Sequence, residues 1–200
     1  MKNVDKDSAF RIIDASIKKA RELKLNPIMV VILDHRGAIK ACLGEDGISP
    51  IRFKIAFGKA NGAYQMGMGS RALFNRAEEQ AYFINAVNSL ENGNLVPVPG
   101  GVLIRDHDKN IIGAIGISGD SSDNDEIAAI AGVESEGFLA DKGWINLNYI
   151  SKIIGIIIHE IKIINPKIFL LKSFSIIIVW RFLAFPSIIW LINFCFKINW

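Results

Sequence analysis

Residues 93–137, GNLVPVPGGVLIRDHDKNIIGAIGISGDSSDNDEIAAIAGVESEG, leave this chain few architectures to choose from. Two short apolar runs, 102–104 and 111–117, flank a polar turn at 106–110, the pattern of a β-hairpin. Pro99-Gly100-Gly101 bends the backbone into the first run, and Gly113 and Gly116 in the second allow a close approach from one face. The Ser/Asp/Asn-rich loop that follows opens a helix. Ser122 with Asp125, or Asp123 with Glu126, has the spacing of a capping box, and Ile127, Ile130, Ala131 and Phe138 are expected to face the core.

The N-terminal half repeats the theme. Residues 7–25 carry apolar or small residues at Ala9, Ile12, Ile13, Ser16, Ile17, Ala20 and Leu23, a helical stripe that Asp7 or Ser8 can cap. Asn26-Pro27 ends it, because proline disfavours helical geometry in the residue before it. The runs 28–33 and 38–43, joined by Asp34-His35-Arg36-Gly37, predict a second hairpin. Ser49-Pro50 is a helix start, serine as cap and proline at the first position, for a helix reaching about Met66. Its small residues Ala56, Ala60, Ala63 and Gly67 suit close packing on a sheet, a partner subunit or a flat ligand, the sheet being the default. A further helix is expected over 71–88, capped by Ser70. Helix, hairpin, helices, hairpin, helix defines an α+β domain with a mainly antiparallel sheet, assigned to residues 1–148.

Residues 149–200 have a different composition. Residues 151–200 hold 16 Ile and 6 Phe but one Gly, one Ala and no Asp. They also carry six Lys/Arg against Glu160 alone, a charge of +5 that leaves −2 on the first 150 residues of a chain whose total is +3. A nearly neutral body with interspersed charges argues against a nucleic-acid partner. The longest charge-free segment, 182–196, has 15 residues, short of the ~18–20 that a spanning helix needs. Reading through Arg181, residues 173–196 reach that length. Three readings of this tail stand: a membrane anchor, an apolar arm buried in a partner or oligomer, and a non-native extension of frameshift type. The last is preferred, because the domain is complete without it. The widely separated Cys42 and Cys195 and an N-terminus without an apolar signal region lead to a cytoplasmic expectation, with membrane association only through a native tail.

Several blocks together resemble the GlcG/HbpS family of heme-degrading-domain proteins. They are Val30-Val-Ile-Leu-Asp34 with Gly37, Asp46-Gly47, Gly58-Lys59-Ala60, Pro99-Gly100-Gly101-Val102, and 113–119 running into Asn124-Asp125-Glu126. The resemblance covers about residues 8–142. It implies a profilin-like α/β/α sandwich, commonly in homo-oligomers, with members linked to heme or corrinoid binding, redox sensing and glycolate use. Some members carry Thr-Ala and Pro-Thr pairs where this chain reads Gly62-Ala63 and Gly69-Ser70. A threonine implicated in heme contact in the family makes Ser70 the candidate here, and the Gly100-Gly101 block joins it.

The residues themselves supply further candidates. The loop through Ser118 and Gly119 precedes a helix N-terminus, which favours an anion such as a carboxylate or heme propionate. Asp120, Asp123 and Asp125 compete for the same donors by self-capping. Arg52, Lys59 and Arg71 are cations for a ligand's carboxylates, Lys59 foremost. His35 and His107 lie in the two hairpin turns beside aspartates and would form a metal site only if the tips met; solvated turn histidines are the simpler reading. Met66 and Met68 are soft potential iron ligands or gap-fillers. No nucleophile–base–orienter set, phosphate loop or dinucleotide fingerprint is present. Three functions follow: a heme or tetrapyrrole carrier or sensor; a small enzyme or accessory protein for a hydroxy or keto acid such as glycolate, with Asp125 or Glu126 as acid/base and Lys59 holding the carboxylate; and a purely structural or partner-binding subunit.

Overall fold

The computed structural model describes residues 3–143. The tail assigned to 149–200 lies outside them.

Helix α1 (Lys6–Glu22) starts at Asp5, whose carboxylate accepts from the Ser8 N–H at 2.7 Å. The cap therefore falls before Asp7 and Ser8, and Ser8 is buried within the first turn. Strands β1 (Met29–Asp34) and β2 (Ile39–Gly44) form the first hairpin, and β3 (Gly101–Arg105) and β4 (Ile111–Ser118) the second. With β5 (Leu139–Asp141) they make one antiparallel sheet in the order β2-β1-β4-β3-β5.

Alternation along the central strands sends side chains to two cores. Val30, Ile32, Val102, Ile104, Ile115 and Ile117 face Ile12 and Ile13 of α1 and Ala128, Ala129 and Val133 of α5 (Ser122–Ser135). Val31, Leu33, Leu103 and Ala114 face α2 (Ile51–Met66) through Ala56, Ala60 and Ala63. The result is an α/β/α sandwich. Each fully buried isoleucine contributes about 1.5–3 kcal/mol relative to exposure.

The small-residue stripe of α2 therefore meets the sheet. Gly101 and Gly116 are register partners in adjacent strands beneath it. A Cβ on Gly116 would stand 2.0 Å from the Ala56 carbonyl oxygen, and one on Gly101 2.2 Å from that of Lys59. The helix rests on sheet backbone. Its opposite side is also covered, since Gly58 and Gly62 lie against Val96 and Leu95 and the Val96 N–H donates to the Gly58 carbonyl at 3.1 Å.

Three expectations need correction. Ser49 does not cap α2: Pro50 occupies the cap position with no side-chain bond. The helix expected over 71–88 is two, α3 (Ser70–Glu79) and α4 (Ala81–Leu90), broken at Gln80. A straight helix would hold Leu73 and Ile84 about 16 Å apart, whereas the break lets both pack with Leu95. Ile127 faces solvent, because α5 turns Asp125 and Glu126 inward instead. Among the described residues no helix is long and apolar enough to cross a membrane.

The seating of α2 gives the first prediction. Gly116→Ala should destabilise the fold by about 3 kcal/mol or more, read as a lowered urea midpoint at unchanged slope.

Candidate functional site

Four elements and one loop meet around Lys59. It sits on the sheet-facing side of α2, where the close seating over Gly101 buries its side chain. Its Nζ donates to Asp125 Oδ2 at 2.8 Å, and the two side chains are 2 % and 1 % exposed. The other Asp125 oxygen accepts from the Asp120 N–H at 3.1 Å. Burial drives the Lys59 pKa down and the Asp125 pKa up, against the attraction between them. Both groups are thus pushed toward their neutral forms.

Gly100 closes this chamber. Its φ of +112° is glycine territory, and a Cβ there would lie 2.9 Å from Lys59 Nζ and 3.0 Å from Asp125 Cβ. The backbone is held by Ile117, whose N–H donates to the Gly100 carbonyl at 2.9 Å. Gly101 N–H donates to Ser70 Oγ at 2.7 Å. Ser70, fully buried, therefore ties α3 to β3; the cap position of α3 is Gly69.

Arg71 opens the rim. Its Nε donates to both Glu126 oxygens at 2.9 Å, and a terminal nitrogen bonds Glu126 Oε2 at 2.8 Å and Asp123. These carboxylates hold the guanidinium pKa above its usual range, the Glu126 hydrogen bonds contributing most. Arg52 donates to Ser118 Oγ at 3.2 Å, and its charge acts on both Lys59 and Asp125.

The α5 N-terminus caps itself. Ser121 Oγ accepts from the Asn124 N–H at 3.3 Å. Asp120 accepts from the Asn26 N–H at 3.0 Å, the Ser121 N–H at 2.8 Å and the Asn124 side-chain amide at 2.7 Å, which brings its pKa to about 2. The capping-box pairs Ser122/Asp125 and Asp123/Glu126 are not used, because Asp125 and Glu126 answer to cations. Gly119 lies apart from the chamber: a Cβ there would meet the Pro27 carbonyl at 2.4 Å.

Of the residues singled out, Lys59, Ser70, Arg71, Gly100, Gly101, Ser118, Asp125 and Glu126 converge here, and Gly119 does not. His35 is half-buried and His107 exposed. Their neighbouring aspartates serve their own turns, Asp34 bonding Arg36 and the Ala38 N–H and Asp106 the Asn110 N–H. Among the described residues no three His, Cys, Asp or Glu side chains are grouped to hold a metal. Met66 and Met68 pack around Leu73, Ile84 and Leu95. The pairing of each α5 carboxylate with a particular cation was not legible, since nothing in the linear order links residue 59 to 125 or 71 to 126. The acid spacing itself was the available signal, read as a helix cap.

The α/β/α sandwich thus encloses a cluster of buried charge between α2 and α5. The chain belongs to the HbpS-like haem degrading protein family, whose sequence model matches residues 4–134. Solved structures share the fold. A PduOC:heme complex superposes with a TM-score of 0.63 at 21% identity, covering 70% of this chain and 99% of that one. A double mutant of HbpS from Streptomyces reticuli gives 0.58 at 21% identity, covering 68% and 88%. ORFY of Klebsiella pneumoniae gives 0.60 at 19% identity, covering 70% and 96%. No curated protein matches the chain.

The buried pair yields a double-mutant test. Lys59→Met alone should cost about 3–5 kcal/mol, because it strands Asp125, while Lys59→Met with Asp125→Leu should recover most of that loss. Urea denaturation of both variants against the parent reads it.

Proposed function

We propose that this protein binds heme or a related tetrapyrrole, as a cytoplasmic, homo-oligomeric carrier or sensor. Membership of a haem-degrading family over residues 4–134 carries the reading. A heme presents an apolar disc with two carboxylates, so a fitting site must offer cations not already neutralised. Arg52 qualifies. It is half-buried, and among the described residues its guanidinium has no carboxylate partner, only the neutral Ser118 hydroxyl. Arg71 at the rim is the second cation, shared with Glu126 and Asp123. Beside Arg52, the stacked Phe53 and Phe57 rings and Met29 are partly buried apolar surface. In this reading Arg52 and Arg71 receive the propionates. Lys59 keeps its bond to Asp125 and, with Gly100, Gly101 and Ser70, forms the floor. Bound heme would supply an iron centre open to redox change.

Titration of the full chain with hemin should give a saturable Soret shift near one equivalent per chain. Arg52→Ala should weaken it on the order of tenfold, the loss of one charge-assisted bond. A featureless partition that Arg52→Ala leaves unchanged would overturn the reading.

A second reading rests on the Lys59–Asp125 pair, since buried groups displaced toward neutrality cluster at catalytic sites. It makes the protein a small enzyme or accessory protein for a hydroxy or keto acid such as glycolate. Asp125 is its acid/base; Glu126, clamped by Arg71, is the less available carboxylate. A panel of small acids at millimolar concentration should then raise the melting temperature. No shift, alongside clear hemin binding, decides for the first reading.

A further inference from the structure

Glu126 has two cations within reach and uses only one of them fully. Arg71 gives it hydrogen bonds of 2.9, 2.9 and 2.8 Å, from Nε to both carboxylate oxygens and from a terminal nitrogen to Oε2. Lys142 Nζ stands 3.8 Å from the same Oε2, near enough to pair by charge and about 1 Å too far for a hydrogen bond. The Glu126 side chain is 4% exposed, those of Arg71 and Lys142 25% and 40%. A carboxylate so enclosed needs a cation, whereas either cation can turn toward solvent. Backbone contacts hold the lysine beside α3. Its carbonyl accepts from the Arg71 N–H at 3.2 Å, and a Cβ on Gly69 would stand 2.0 Å from its carbonyl carbon.

We propose that Glu126 is an internal competitor at Arg71: it occupies the guanidinium until a ligand carboxylate takes its place, and Lys142 then receives the displaced Glu126. The proposal rests on the reading that Arg52 and Arg71 bind the carboxylates of a heme, and adds how one of the two is gated. The two receptors differ in kind. Arg52 has only the Ser118 hydroxyl to give up. Arg71 must exchange one bidentate, charge-assisted contact for another, so it gains little unless Glu126 finds a second cation. Lys142 supplies that cation through a side-chain movement of about 1 Å. Asp123, the other acid on the same guanidinium, is 73% exposed and returns to water when released. One ligand carboxylate is thus bound outright and the other by exchange.

Hemin titration of the full chain, followed at the Soret band, tests this in Glu126→Gln, Lys142→Met and the double variant. Glu126→Gln keeps the size of the side chain and one acceptor oxygen but not its charge. It should tighten hemin on the order of tenfold, the loss of a charge-assisted competitor. Glu134→Gln, at an exposed position of the same helix, removes an equal charge and should leave the affinity unchanged. Lys142→Met should weaken hemin about two- to fivefold. That effect should vanish in the Glu126→Gln background, where no displaced carboxylate waits to be received. Asp123→Asn should tighten hemin by less than Glu126→Gln, and it keeps the competition measurable if Glu126→Gln does not fold. Equal affinity of the parent and Glu126→Gln, an equal gain from Glu134→Gln, or a Lys142 effect that persists in the double variant would each overturn this inference while hemin binding and its dependence on Arg52 stand. Absence of a saturable shift in the parent and the variants alike overturns the heme reading, and this inference with it.

Discussion

The backbone-to-backbone seating of α2 on Gly101 and Gly116 is the contact on which the remaining structure depends. With side chains at those two positions the helix would ride higher, and Ala56, Ala60 and Ala63 could not reach Val31, Leu33 and Ala114. The same depth carries the Lys59 side chain below the surface, where an unpaired ammonium would be prohibitively costly. The carboxylate of Asp125 at 2.8 Å makes the position tolerable. The packing of α2 on two glycines thus dictates an electrostatic pairing at the start of α5.

Helix α5 joins the layers by charge as well as by apolar contact. Two successive residues, Asp125 and Glu126, turn inward, and each takes a cation from a different helix, Lys59 of α2 and Arg71 of α3. Ser70, next to Arg71, bonds the β3 backbone. Residues that gather the fold into one body are therefore the ones that border the candidate site. Substitutions there will alter stability and binding together, and Arg52, which pairs with no carboxylate among the described residues, is the place where the two separate most cleanly.

Both hairpins were legible because their apolar runs are short, β-branched and bounded by Gly, Asp and Asn. Helix α2 was legible from Pro50 and its alanines, although only the sheet-facing stripe was seen and the Gly58/Gly62 contact with Leu95 and Val96 was not. The break at Gln80 carries no proline or glycine, and it comes from packing on Leu95. Strand β5 has three residues and exists through its pairing with β3 and the Arg105–Asp141 ion pair at 2.8 Å. At the site, the residue types were foreseeable and their partners were not. Asp125 and Glu126 looked like capping acids by spacing, and their actual roles depend on cations that only the folded chain delivers.

The Asp120 carboxylate is a staple between two parts of the chain distant in sequence, the Asn26 turn and the α5 N-terminus. Its pKa of about 2 lies below the ordinary 3.8, so the staple's contribution is complete above that ordinary value and fades only as the pH falls through about 2. Asp125, five residues on, is shifted the other way by burial and takes up its proton earlier in the same descent. Acidification therefore removes the carboxylate charge that faces Lys59 in the interior while the outer clasp is still fastened.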